Sequence, residues 1–93
     1  MTKVMLRADE DGSLFYDCMN HCEDYTVCAI VSTLSNILVE ATFRAGFEPT
    51  EYNPGHVRID IPKATYPTIE VWRIVEKGLN QVASQHPDQI KIY

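Results

Sequence analysis

Apolar residues recur at helical spacing in two separate segments of this chain, and each segment needs a surface that covers one of its sides. The first stripe consists of Val27, Ile30, Val31, Leu34, Ile37, Leu38 and Ala41. The second consists of Ile69, Trp72, Val75, Leu79 and Val82. Apolar residues three and four positions apart lie on one side of an α-helix. The stripes therefore predict two amphipathic helices that pack on a common apolar surface.

The ends of both helices are marked by residues that favour a cap or a stop. Asp24 and Thr26 are alternative N-caps, because either side-chain oxygen can accept hydrogen bonds from the free N–H groups of a first turn. The first turn is thus expected near residues 25–28, and Gly46 fits the position that follows a helix end. Proline suits a first helical turn, which predicts a second helix over about Pro67–Gln85.

Short segments of alternating character supply the covering surface. The predicted strands are Lys3–Arg7, Leu14–Met19, Phe47–Tyr52, His56–Ile61 and Gln89–Tyr93. The segment from Asp9 to Gly12 and the segment Asn53-Pro54-Gly55 are typical of tight turns. The element order is then ββαββαβ. This order predicts an α+β two-layer sandwich, with two helices on one face of a small sheet.

Length and charge restrict the classes of function. The 93 residues suit one domain, residues 1–93. Thirteen acidic residues against eight Lys and Arg give a net charge of −5, which does not favour a nucleic acid partner because phosphates require a basic surface. The longest apolar run, Val27–Val31, is far shorter than the ~20 residues of a membrane span. We therefore expect a cytoplasmic protein with no membrane segment.

The cysteine pattern points to free thiols. The chain has three cysteines, Cys18, Cys22 and Cys28, within eleven residues. An odd number so closely spaced fits thiol chemistry or burial better than a disulfide framework. Together with His21 they are suitable zinc ligands. The spacing is not Cys-x-x-Cys, however, and we expect no metal. No glycine-rich phosphate loop is present, so no cofactor is expected either.

One histidine and one cysteine form a candidate catalytic pair. His21 follows the second predicted strand, and Cys28 lies in the first turn of the first helix. Free N–H groups at a helix start favour a thiolate, which is the reactive form of cysteine. A histidine within hydrogen-bond reach can take the thiol proton and later protonate a leaving group. The same N–H groups can stabilise an oxyanion. Burial of Cys28 as a small apolar side chain is the alternative interpretation.

Two residues beside this pair are supporting candidates. Ser32 lies one helical turn after Cys28, so its hydroxyl faces the site or bonds a carbonyl of its own helix. Asp24 orients His21 or caps the helix.

The run from His21 to Ser32 resembles the signature of the ribosomal-processing cysteine protease family, Prp. In that family, Gly-His-Ala ends a strand and Cys-Ala-x-Val-Ser opens a helix. Here His21 is followed by Cys28-Ala29-Ile30-Val31-Ser32. The segments Gly55–Ile59 and Leu79–Ile92 are similar to the fourth strand of the family and to its closing helix and strand. The resemblance therefore covers nearly the whole chain.

The resemblance implies a bacterial cytoplasmic endopeptidase, usually a homodimer, that trims a short N-terminal extension from a large-subunit ribosomal protein. His21 would be the general base and Cys28 the nucleophile. A two-fold dimer is also favoured because a small sheet leaves edge strands and a small domain gains buried surface by pairing. Two alternatives remain open: a phage-encoded relative that processes capsid or scaffold proteins, and a dimeric binding relative that has lost turnover.

The chain departs from the family signature in three places. Asn20 stands where the family has glycine, Cys22 stands where it has alanine, and the loop between His21 and Cys28 is short. If the family glycine has positive φ, asparagine is the least damaging replacement, because it tolerates the left-handed region better than most residues.

Overall fold

The computed structural model describes residues 1–93 and contains the predicted elements in the predicted order. The elements are β1 (Thr2–Ala8), β2 (Leu14–Met19), α1 (Tyr25–Arg44), β3 (Glu51–Asn53), β4 (His56–Ile61), α2 (Tyr66–Gln85) and β5 (Ile90–Ile92). The five strands form one mixed sheet in the order β3-β4-β2-β1-β5. The predicted α+β class and the ββαββαβ order are confirmed.

The strand pairing brings two distant segments of the chain together at one end of the sheet. β2 is antiparallel to both β1 and β4, and β5 runs parallel to β1 at the edge. Met19, the last residue of β2, pairs with His56, the first residue of β4. The residues that follow β2 therefore lie beside the turn between β3 and β4.

Only one face of the sheet is buried, and both helices cover it. Its buried residues alternate along the strands: Val4, Leu6, Leu14, Tyr16, Cys18, Ile59, Ile61 and Ile90. From α2, the buried residues Trp72, Val75, Leu79 and Val82 agree with the predicted stripe. The intervening strand residues lie on the open face. The predicted two-layer arrangement is thus confirmed.

The buried side of α1 is rotated relative to the predicted stripe. The sequence places Ile30 and Ile37 in the core, but their side chains are 40% and 45% exposed. Ser35 and Thr42 are buried instead. The Ser35 hydroxyl lies 2.6 Å from that of Tyr16, and the Thr42 hydroxyl donates to the carbonyl four residues earlier at 2.7 Å. Burial of these residues is tolerated because each hydroxyl has a partner.

The predicted strand Phe47–Tyr52 is wrong in its extent, because β3 contains only Glu51–Asn53. The N–H of Phe47 donates to the carbonyl of Thr42 at 3.0 Å and closes the end of α1. Pro49 cannot donate to a strand ladder, since it lacks a backbone N–H. The segment before β3 is therefore a connection rather than a strand.

One helix, α1, has the length and apolar composition that a membrane span needs. Core helices of soluble proteins also have these properties. In this fold, Val31 and Leu38 of α1 are buried in the core that α1 shares with the sheet and α2.

Candidate active site

A cleft lies between the first half of α1 and the end of the sheet where β2 stops and β3 turns into β4. Its volume is about 380 Å³. The residues that line it include His21, Cys28, Ser32, Ser35, Asn36 and Tyr52. The structure therefore brings His21, Cys28 and Ser32 to one cavity, although they come from a loop and a helix.

Asp24 fixes the start of the helix that carries Cys28. Its backbone is extended, and its carboxylate accepts hydrogen bonds from the N–H groups of Thr26 at 2.9 Å and Val27 at 3.2 Å. Of the two alternative N-caps, the structure therefore shows Asp24. The cap is thus the role that its hydrogen bonds show, and the orientation of His21 by Asp24 stays a prediction.

Asp24 also accepts from three backbone N–H groups in the first turn of α1. The Cys28 N–H donates to the carbonyl of Asp24 at 3.0 Å, and the two preceding N–H groups are bound to the Asp24 carboxylate. The N–H groups of Thr26, Val27 and Cys28 thus all have acceptors within the cap, and the use of the helix start as an oxyanion site stays a prediction.

His21 is held by an unusual backbone segment at the end of β2. Asn20 has φ of +72°, the left-handed region that the substitution of asparagine for glycine anticipates. The Asn20 N–H donates to the carbonyl of Gly55 at 2.9 Å, and the Asn20 carbonyl accepts from the Thr2 hydroxyl at 3.2 Å. Asn20, the residue before His21, is thus tied to the turn that precedes β4 on one side and to β1 on the other.

The side chains of His21 and Cys28 meet in the cleft. The Nδ1 atom of His21 lies 3.8 Å from the Sγ atom of Cys28, a contact within hydrogen-bond reach of sulfur. His21 is exposed and Cys28 is half-buried, so both are open to a bound molecule. This geometry permits proton transfer from the thiol to the imidazole.

The other two thiols differ from Cys28 in their environment. Cys18 and Cys22 are buried, whereas Cys28 is half-buried. Burial raises the pKa of both Cys18 and Cys22 above the ordinary thiol value, and the neighbouring thiol of Cys28 raises that of Cys22 further. Both buried thiols therefore stay protonated at neutral pH, and Cys28 is the most exposed of the three thiols.

The remaining histidines lie away from the cleft. The Nε2 atom of His56 is 2.8 Å from a carboxylate oxygen of Asp17 on the open face of the sheet. His86 ends α2. No group of three or more His, Cys, Asp and Glu side chains converges to hold a metal ion.

Two polar residues of the cleft, Asn36 and Tyr52, were not predicted from the sequence. The Tyr52 hydroxyl donates to the Asn36 side-chain oxygen at 2.8 Å. Asn36 lies eight residues after Cys28, so helical periodicity was a signal that could have found it. The position of Tyr52 depends on the pairing of β3 with β4 and carried no such local signal.

No protein-family model and no curated protein matches the sequence. Solved structures do match the fold. The ribosomal processing protease Prp from S. aureus, in complex with a covalently linked product peptide, has a TM-score of 0.78 and 19% identity, over 99% of this chain and 97% of that chain. SMU.848 from Streptococcus mutans has a TM-score of 0.76 and 23% identity, over 99% and 91% of the two chains.

A second structure of S. aureus Prp, in complex with a substrate peptide, has a TM-score of 0.74 and 15% identity, over 100% of this chain and 98% of that chain. The match spans the sheet, both helices and the cleft-bearing end of the molecule. The resemblance drawn from the sequence is thereby confirmed for the fold, and this chain has the fold of the ribosomal processing protease Prp.

Proposed function

We propose that this protein is a cysteine endopeptidase that removes a short N-terminal extension from a large-subunit ribosomal protein, with His21 and Cys28 as its catalytic residues. The observation that carries the proposal is the 3.8 Å contact between His21 Nδ1 and Cys28 Sγ in an open cleft. The structures of S. aureus Prp with substrate and product peptides support a peptide ligand for this fold.

The first half of the reaction forms an acyl-enzyme. His21 Nδ1 takes the proton of the Cys28 thiol, and the sulfur attacks the carbonyl carbon of the scissile peptide bond. The C–N bond then breaks, and the leaving amine takes its proton from the His21 imidazolium. The product is a thioester between Cys28 and the N-terminal fragment of the substrate.

The second half releases that fragment. His21, now neutral, takes a proton from a water molecule as the water attacks the thioester carbon. The C–S bond breaks, the proton returns to the Cys28 sulfur, and the fragment leaves as a carboxylic acid. The two residues thereby return to their starting states.

The supporting residues position Cys28 and the substrate, and they take no part in the bonds that form or break. Asp24 holds the helix start, which sets the position of Cys28 in the first turn. Ser32 lines the cleft one turn after Cys28. We assign its hydroxyl a contact with the substrate, because Ser32 lines the same cleft as Cys28.

Cleavage of a purified ribosomal protein that retains its N-terminal extension tests the proposal. We expect no cleavage by Cys28→Ala, near-complete loss in Cys28→Ser because a hydroxyl ionises far less readily, and a loss of about 10²–10⁴-fold in His21→Ala. Cys18→Ala and Cys22→Ala are the matched controls and should retain cleavage. Full activity of Cys28→Ala would refute the proposal.

The same assay separates the alternatives. Cleavage of a phage capsid or scaffold protein, with no cleavage of the ribosomal substrate, would assign the protein to phage assembly. Binding of peptide without turnover by the unmodified chain would assign it to the inactive binding relatives.

We also propose that the protein works as a cytoplasmic homodimer. Both sheet edges, β3 and β5, are only three residues long, which limits strand pairing between copies. The exposed Ile30 and Ile37 lie seven residues apart on one side of α1 and supply an apolar surface instead. Light scattering at micromolar concentration should give the dimer mass. A reduction to the monomer mass in Ile37→Asp would support this surface, and a monomeric unmodified chain would refute the dimer.

A further inference from the structure

The turn between β3 and β4 lies against the imidazole ring of His21. A Cβ atom built on Gly55 would lie 2.9 Å from His21 Nε2 and 3.4 Å from Cδ2. Real Cβ atoms essentially never approach another atom under 3.0 Å. The ring can therefore occupy its place only because residue 55 has no side chain.

The two sides of the ring face different partners. Nδ1 is directed to the Cys28 sulfur, and Nε2 is directed to the turn. The backbone of the same turn also holds the histidine segment, because the carbonyl of Gly55 accepts the N–H of Asn20 at 2.9 Å. Gly55 thus lies beside the His21 ring and, through its carbonyl, also holds Asn20, the residue before His21.

We propose that Gly55 is a positioning residue for the catalytic pair. Because residue 55 has no side chain, the His21 ring can lie against the turn, and this position sets the distance between His21 Nδ1 and Cys28 Sγ. This inference rests on the proposed function, since it assigns Gly55 a role in the proton transfer between those two atoms. Any side chain at residue 55 displaces the ring, because the ring is the movable partner of the contact and the turn is fixed by its strand pairing.

Gly46 offers a matched control for the backbone. Gly55 has φ of +82° and Gly46 has φ of +89°, so alanine is strained by a similar amount at both positions. A Cβ atom on Gly46 meets nothing within 4 Å. Gly55→Ala and Gly46→Ala should therefore lower the unfolding midpoint in urea equally, while only the first variant affects His21.

The experiment measures the rate at which iodoacetamide alkylates Cys28 at several pH values, with the site of labelling read by mass spectrometry. We expect His21→Ala to slow labelling at neutral pH, Gly55→Ala to slow it to the same rate, and Gly46→Ala to match the unmodified chain. In the peptide-cleavage assay, Gly55→Ala should reduce kcat by about 10²-fold, the usual effect of a misplacement of about 1 Å.

Asparagine provides a second pair of variants, because it tolerates positive φ while adding a Cβ atom. Gly55→Asn should slow labelling and Gly46→Asn should not, even where alanine prevents folding. The role of Gly55 would be overturned if both folded Gly55 variants kept an unchanged labelling rate and kcat while His21→Ala slowed the labelling of Cys28. That result would leave the catalytic pair intact. Unchanged labelling in His21→Ala would overturn both proposals.

Discussion

Removal of the Ser35 hydroxyl by Ser35→Ala should destabilise the protein, because it leaves a buried tyrosine without its hydrogen-bond partner. Tyr16 on β2 and Ser35 on α1 are both almost completely buried, and their hydroxyl oxygens are 2.6 Å apart. This bond joins the sheet to the helix directly beneath the cleft, which Ser35 also lines.

The magnitude follows from what each hydroxyl can do once its partner is gone. An unpaired buried hydroxyl costs about 1–3 kcal/mol, and alanine returns about 0.5 kcal/mol through its helix propensity, so Ser35→Ala should cost about 0.5–2.5 kcal/mol. Tyr16→Phe should cost less, below about 1.5 kcal/mol, because the Ser35 hydroxyl can turn to the carbonyl four residues earlier in its helix.

Urea unfolding of both single variants and of the double variant measures the coupling. The double variant leaves no unpaired hydroxyl, so its loss should be smaller than the sum of the single losses by about 0.5 kcal/mol or more. In thermal unfolding, each kcal/mol corresponds to about 4–8 °C for a domain of this size. Tyr52→Phe, which removes an exposed tyrosine bond, is the control and should change stability by less than about 0.5 kcal/mol. Additive single losses would refute the reasoning.

Iodoacetamide at neutral pH should label Cys28 before Cys18 or Cys22, because the latter thiols are buried and burial raises their pKa. Mass-spectrometric mapping of a partial reaction gives the order, and earlier labelling of either buried thiol would contradict it. Asp24→Ala should lower the free energy of unfolding by about 0.5–2 kcal/mol, because two N–H groups of the first turn lose their acceptor. Asp24→Ser, which retains an acceptor, should lose much less in the same urea titration. Stability should also decline more steeply as the pH rises above about 10, the ordinary pKa of tyrosine. Burial raises the pKa of Tyr16, so the folded state keeps a proton that the unfolded chain releases, and stability falls with pH. Tyr16→Phe should flatten this decline, and an unchanged slope would assign it to other groups.

Local sequence patterns predict the elements of this fold well wherever alternation or helical spacing is bounded by a turn. The bounds of Leu14–Met19 and His56–Ile61 are correct because each strand follows a tight turn and has a periodicity of two, seen in burial in the first strand and in the apolar and polar residues of the second. The second helix begins at Tyr66, one residue before the predicted Pro67. Such boundaries are fixed by neighbours in the chain.

The predictions from the sequence are wrong where contacts between distant elements decide which residues are buried. Apolar periodicity could not place Ser35 on the buried side of α1, because its burial depends on the hydroxyl of Tyr16 on another element. The juxtaposition of His21 and Cys28 was predicted from spacing and from family resemblance. The sequence left two N-caps open, and a shift of two residues between them decides which N–H groups of the first turn the cap binds.

The contact of Gly55 with His21 lies furthest from any local signal. It exists because β2 pairs with β4, which places residues more than thirty positions apart against one another. The turn motif predicts a glycine at residue 55 because of its positive φ. Only the strand order shows that the His21 ring lies beside this glycine.

The segment just before β5 carries a consequence for how the protein matures during translation. Gln89 accepts the N–H of Thr2 on its backbone carbonyl and the N–H of Asp24 on its side chain, each at 2.9 Å. It therefore links Asp24, the residue that caps α1, to the first strand of the sheet. The ribosome makes Gln89 after both of its partners, Thr2 and Asp24. A nascent chain therefore contains His21 and Cys28 before it contains the residue that links the helix cap to the sheet. Complete assembly of the cleft must await the synthesis of the segment through β5.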